Sequence, residues 1–245
     1  MQRKDLFMKK TMIGILAGGL TAGVALGEAG SGAFATSLSL GLTVNQGNTD
    51  SSLGNAALVT ESISGNREIR AGAEFTYGEQ DSEKNTENGR VFVGVKEGLS
   101  DRAYVTADAS GMYDPIASID YRAIASVGLG YFLMKDEAAS LSVDVGPAYI
   151  WEKVGGETED YFGIRFAQRY TRDLSETAKV WQSLEYVPEA EDFENYLFLG
   201  EVGVEAVLNS RMSLRTVYRV TYDNEPAPDA KKSDRQLLAG LVIRL

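Results

Sequence analysis

The sequence predicts an all-β protein, a transmembrane antiparallel up-and-down β-barrel of about twelve strands behind an N-terminal export segment. Three observations predict it. From Ala35 onward apolar and polar residues alternate with a period of two, connections alternate between long and short, and one apolar run near the N-terminus follows a cationic head. Alternation marks a strand with two unlike faces. In lipid only a closed barrel can satisfy the backbone of such strands.

The N-terminus comes first. Arg3, Lys4, Lys9 and Lys10 precede the run TMIGILAGGLTAGVAL at 11–26. A charged head, an apolar core and then small residues are the features of a secretory signal, assigned to residues 1–27. Two cleavage points fit, after Ala25-Leu26-Gly27 or after Ala33-Phe34-Ala35. The alternative, a retained membrane helix, is disfavoured by the glycines and by a length near the lower limit.

The expected barrel occupies residues 36–245. Strands are predicted at 34–45, 52–64, 67–78, 88–98, 102–112, 120–133, 138–152, 161–172, 177–187, 194–208, 211–223 and 234–245. In the sixth, Tyr121, Ala123, Ala125, Val127, Leu129, Tyr131 and Leu133 alternate with Arg122, Ile124, Ser126, Gly128, Gly130 and Phe132. In the eleventh, Leu214, Thr216, Tyr218 and Val220 alternate with Arg215, Val217, Arg219 and Thr221. Long connections are expected at 47–51, 79–89, 112–120, 152–160, 188–194 and 223–234, separated by short turns such as Gly65-Asn66 and Asn209-Ser210. Outer-membrane barrels have long outside loops and short periplasmic turns, and an even strand count puts both ends in the periplasm.

Composition narrows the chemistry. The chain of 245 residues carries Lys+Arg 24 against Asp+Glu 35, a net charge of -11, which argues against a nucleic-acid partner. Cysteine and histidine are absent, so disulfides, thiolate chemistry, Ser-His-Asp hydrolysis and ordinary histidine metal sites are excluded. No catalytic residue, metal site or cofactor is expected. Gly 26 with Pro 5 suits regular strands joined by tight turns.

Charges on a lipid-facing wall are expensive, so the charged parity of each strand should face the lumen. The lumen candidates are Arg70, Arg90, Arg122, Arg165, Arg169, Lys179, Arg215, Arg219, Glu185, Glu201 and Glu205. They read either as ion pairs bracing a filled barrel or as the lining of a narrow channel that attracts anionic solutes. Acidic residues crowd the long connections, from Glu79 and Asp81 to Asp229 and Asp234. They suit a solvated outer surface, or a surface module that gathers cations or a host ligand. Tyrosines such as Tyr77, Tyr113, Tyr149, Tyr161, Tyr196 and Tyr222 lie near strand ends, as membrane-interface residues or as ordinary strand formers.

The stretches LSLGLTVNQGNTDSS (38–52), YDPIASIDYRAIASVGLGYFL (113–133), LSVDVGPAYIWE (141–152), the strand around Arg165 and PDAKKSD (228–234) carry a family likeness. Together they resemble the YdiY-type outer-membrane proteins described as salt-induced, a family defined largely as a domain of unknown function. The resemblance spans nearly the whole barrel region and rests on strand and turn patterns rather than a catalytic signature. It implies a non-enzymatic outer-membrane barrel, a narrow pore for small solutes or ions or an envelope-maintenance protein linked to salt or osmotic conditions. Its implied partners are outer-membrane lipid, the barrel-assembly machinery and small ions or solutes. One departure is Leu245, where outer-membrane strands commonly end in an aromatic. Asp114 and Asp120 are candidate loop anchors, Asp114 through the Asp114-Pro115 turn and Asp120 together with Arg122.

Overall fold

The computed structural model describes residues 32–46 and 50–245. The expected signal segment and most of the GNTD turn at 47–50 lie outside the described residues. The described chain forms twelve strands: β1 Phe34–Asn45, β2 Ser51–Ser64, β3 Arg67–Gln80, β4 Glu83–Gly98, β5 Ala103–Asp114, β6 Ile119–Lys135, β7 Ala139–Val154, β8 Glu157–Asp173, β9 Ala178–Pro188, β10 Tyr196–Val207, β11 Met212–Asp223 and β12 Ser233–Arg244. Each pairs antiparallel with its sequence neighbours, and β1 meets β12 to close the cylinder. Closure removes the sheet edges that lipid cannot hydrate.

The pleat sorts the side chains as the period-two pattern demands. Along β3, Arg70, Glu74 and Thr76 are buried while Phe75 and Tyr77 are exposed. Along β6, Arg122, Ser126 and Phe132 point inward while Val127, Leu129, Tyr131 and Leu133 are bare. The outer wall is therefore apolar, with Leu40, Val91, Val93, Phe162, Val202, Leu214 and Leu237 continuing the band. A water-soluble barrel would have the reverse arrangement.

Aromatic residues gather on this wall towards the outer ends of β7–β11. Tyr149 packs edge-on against Trp151 and Phe162 at 4.5 and 4.6 Å. Tyr186, Tyr196 and Tyr222 follow at 5.2 and 5.5 Å. Rings that are apolar in body and polar at the tip belong at the headgroup level. Tyr161 is different: it packs inside the barrel against Ala148, Ile150 and Val187.

Two of the expected long connections are not loops. The strands of β3 and β4 continue to a two-residue turn at Asp81 and Ser82, with φ 52° and 67°. Those of β7 and β8 continue to Gly155 and Gly156, with φ 60° and 88°. Left-handed pairs of this kind match the twist of the flanking strands. The acidic stretches at 79–89 and 152–160 are polar because both faces stand in water above the lipid, while the ladder between them persists. The connection expected at 112–120 shrinks to 115–118, no longer than the four-residue turns 99–102, 174–177 and 208–211 at the other end. Among the described residues the longer connections are 189–195 and 224–232, both at the loop end.

Candidate functional site

The lumen lining is built by the inward parity of nearly every strand. At the loop end, Arg122 on β6 donates to Glu152 on β7 and, through Nη2, to Asp223 Oδ2 on β11 at 2.6 Å. At mid-depth Arg165 on β8 is a hub, with Nε on Glu185 at 2.8 Å and Nη1 on Asp144 at 2.6 Å, and Asp108 beyond at 3.8 Å. Arg219 on β11 holds Glu201 on β10 at 2.6 Å and reaches Glu74 on β3 at 3.0 Å. Arg70 pairs with Glu61 at 3.0 Å, and Lys96 with Glu68 at 3.6 Å. Nearer the turn end, Arg215 Nε and Nη2 both donate to Glu205, at 2.9 and 2.5 Å.

These groups are deeply buried: Glu205 is 2% exposed, Arg70 3% and Arg215 4%. A wide aqueous lumen would leave them wet. Two interior voids measure about 30 and 20 Å³. The first lies between Arg70, Arg90, Asp108, Ser126, Arg165 and Glu185. Spaces of this size hold a water or a small ion.

Interior aromatics follow a repeated rule. Phe92 stands opposite Gly72, Tyr104 opposite Gly130 and Trp181 opposite Gly203. Each ring lies over its glycine so closely that an added Cβ would meet it at 2.5, 2.1 or 2.0 Å. A ring covering the bare glycine backbone of the neighbouring strand protects that stretch of ladder. Each ring also carries a cation over its face: Arg70 on Phe92 at 4.9 Å, Lys96 on Tyr104 at 4.7 Å and Arg215 on Trp181 at 5.8 Å.

All eleven lumen candidates lie on the inward parity. Arg122, Arg165, Arg215 and Arg219 meet Glu152, Asp223, Asp108, Asp144, Glu185, Glu205, Glu201 and Glu74 in the pairs described. Arg169 is buried on β8, two pleat repeats from Arg165 with Ala167 between them. Arg90 and Lys179 meet no carboxylate at ion-pair distance among the described residues. Sequence reasoning missed Glu61 and Lys96, which strand parity could have found. It also placed Glu152 and Asp223 at loop edges, where their reach to Arg122 has no local signal. Phe92, Tyr104 and Trp181 were hidden because an inward aromatic and an outward one look alike without the glycine opposite.

The two loop candidates part ways. Asp114 Oδ1 accepts the Ala117 amide at 3.0 Å and closes the turn after β5. Asp120 does not meet Arg122. A bulge between Ile119 and Tyr121 turns it outward, where it pairs with Lys153 at 2.8 Å. Among the described residues no group of three or more acidic side chains is placed to hold a metal ion.

Similar solved structures share the fold. The NanC porin superposes with a TM-score of 0.54 at 10% identity, covering 86% of this chain and 100% of that one. An outer-membrane channel from Pseudomonas putida F1 gives 0.52 at 8% identity, covering 92% and 100%. Curated protein sequences provide no match. At such low identity the likeness establishes architecture, that of outer-membrane barrels. The sequence itself matches a family model across residues 38–244, and the chain therefore belongs to the family described as protein of unknown function, DUF481.

Proposed function

We propose that the protein is exported by its N-terminal segment and resides in the outer membrane as a non-enzymatic barrel with a narrow path for small ions. The packed interior carries this reading. Charges of both signs, paired from wall to wall around voids of about 30 and 20 Å³, leave space for water and small ions but not for a sugar or a peptide. The apolar outer band supports the location, since lipid is the solvent that such a wall suits. The salt-induced description of the family it resembles fits an envelope barrel whose bracing is shielded from the medium. Arg90, beside the larger void and without an ion pair, favours anions in that path.

Planar-bilayer recording of the refolded protein tests this. Small conductance steps are expected, with a reversal potential favouring chloride in a potassium chloride gradient and weaker preference in Arg90→Gln. Protein that inserts yet never conducts would remove the pore. It would leave the second reading, an envelope-maintenance barrel, which the pairs Arg219–Glu74 and Arg122–Asp223 favour because they tie strands four and five apart around the barrel.

A further inference from the structure

The closing seam is incomplete. β1 and β12 are in register only from Ser37 to Leu40 against Leu241 to Arg244. Yet β1 pairs with β2 along its whole length, and β12 pairs with β11 from Ser233 to Ile243. The next step of the seam would set Gly41 opposite Gly240. There the two strands cross too closely for side chains: an added Cβ at Gly41 would lie 2.2 Å from the Ala239 oxygen, and one at Gly240 2.5 Å from the Leu40 oxygen. Outward of this glycine notch no registered pair joins the strands among the described residues. Thr43, on the inward parity of β1, is exposed there.

What lies on either side of the gap differs from the rest of the wall. Outside, Leu42, Val44 and Leu237 are bare and continuous with the lipid band. Inside, directly behind the gap, lies one of two apolar clusters of the lumen, Trp181, Val217 and Leu238 with Leu53 packed on it. The smaller void opens beside Leu238 and Gly240 and holds two buried oxygens with no hydrogen-bond partner, Ser39 Oγ and Glu74 Oε1. Thr43, Asn45 and Gln236 give the mouth a polar rim.

We propose that the outer half of the β1–β12 seam is a lateral portal that admits the end of one acyl chain of a membrane lipid. The tail lies along the lipid side of the seam, and only its last carbons enter above the Gly41–Gly240 notch, towards Leu53 and Leu238, where the void is about 20 Å³. The lipid's ester and headgroup oxygens and interfacial water meet the polar rim and the edge of Leu42–Asn45 that faces β12, where no registered pair is made. An amphiphile is the one membrane component that offers both halves of that chemistry. The inference rests on the outer-membrane reading, so insertion is scored separately.

The chain has two tryptophans and no cysteine, which makes the test clean. Trp151→Phe leaves Trp181 as the sole reporter. The variant is reconstituted into phosphatidylcholine vesicles with brominated or ordinary acyl chains, and heat-modifiable migration first establishes that it has inserted. Trp181 emission should fall in brominated vesicles, and the fall should vanish when Leu42→Cys and Ala239→Cys are oxidised across the seam. Leu53→Asn, which makes the floor polar, should diminish it without a cross-link. Inserted barrel whose Trp181 is unquenched overturns the portal. So does quenching that neither the cross-link nor Leu53→Asn reduces, since bromine would then be acting through the intact wall. Failure to insert would instead count against the membrane reading itself.

Discussion

Burial decides what each interior charge contributes. Arg215 and Glu205 have side chains 4% and 2% exposed, so removing one leaves the other charged in a dry site. Arg215→Ala is expected to cost about 3–5 kcal/mol, while Arg215→Met with Glu205→Leu recovers most of it, because the double change strands no charge. Urea unfolding in lipid vesicles measures both. Gly203→Ala carries a different penalty, since the new methyl would meet the Trp181 ring at 2.0 Å. Overpacking of this kind costs about 1–3 kcal/mol. At this level the sequence reveals which side of the wall a residue occupies, and little about whom it meets. Arg122 is readable as inward from its parity with Ser126. Its partner Asp223 lies 101 residues away on β11, and only closure of the barrel brings them together.

The strands themselves were legible almost to the residue, because two solvents meet along each one and every second side chain must suit a different one. β9 and β11, expected at 177–187 and 211–223, run Ala178–Pro188 and Met212–Asp223. Hairpin tips were less legible. Above the membrane both faces are wet, alternation disappears, and polarity no longer distinguishes a strand from a loop. The bulge that turns Asp120 outward is equally silent, since one extra residue leaves the composition unchanged. Two outcomes test the elements. Val127→Arg on the lipid face of β6 should cost about 2–4 kcal/mol in vesicles. Replacing Asp81-Ser82 with Asn-Gly, which adopts the left-handed turn more readily, should raise stability by up to about 1 kcal/mol.

For the barrel as a whole, what matters is that its ion pairs are inside. Surface pairs weaken as salt screens them, whereas buried ones are screened far less. The midpoint of heat-modifiable migration should therefore hardly move between low salt and about 1 M sodium chloride. A steep fall would show that exposed pairs such as Arg67–Glu97 dominate stability. Twelve strands, antiparallel order and closure were all readable beforehand from the alternation. The incomplete seam was not, because pairing between the first and last strands leaves no trace in local pattern.

The bridge from Glu74 to Arg219 spans 145 residues. While the sheet is still flat, these two groups sit at opposite margins of an open ribbon and keep their water shells. The same carboxylates and guanidiniums that later neutralise each other thus break up most of the strands of the travelling chain. Strands broken up in this way are less prone to clump with their neighbours. Rolling up sheds that hydration in one late step, so the cargo stays dispersible until it arrives and resists unrolling afterwards.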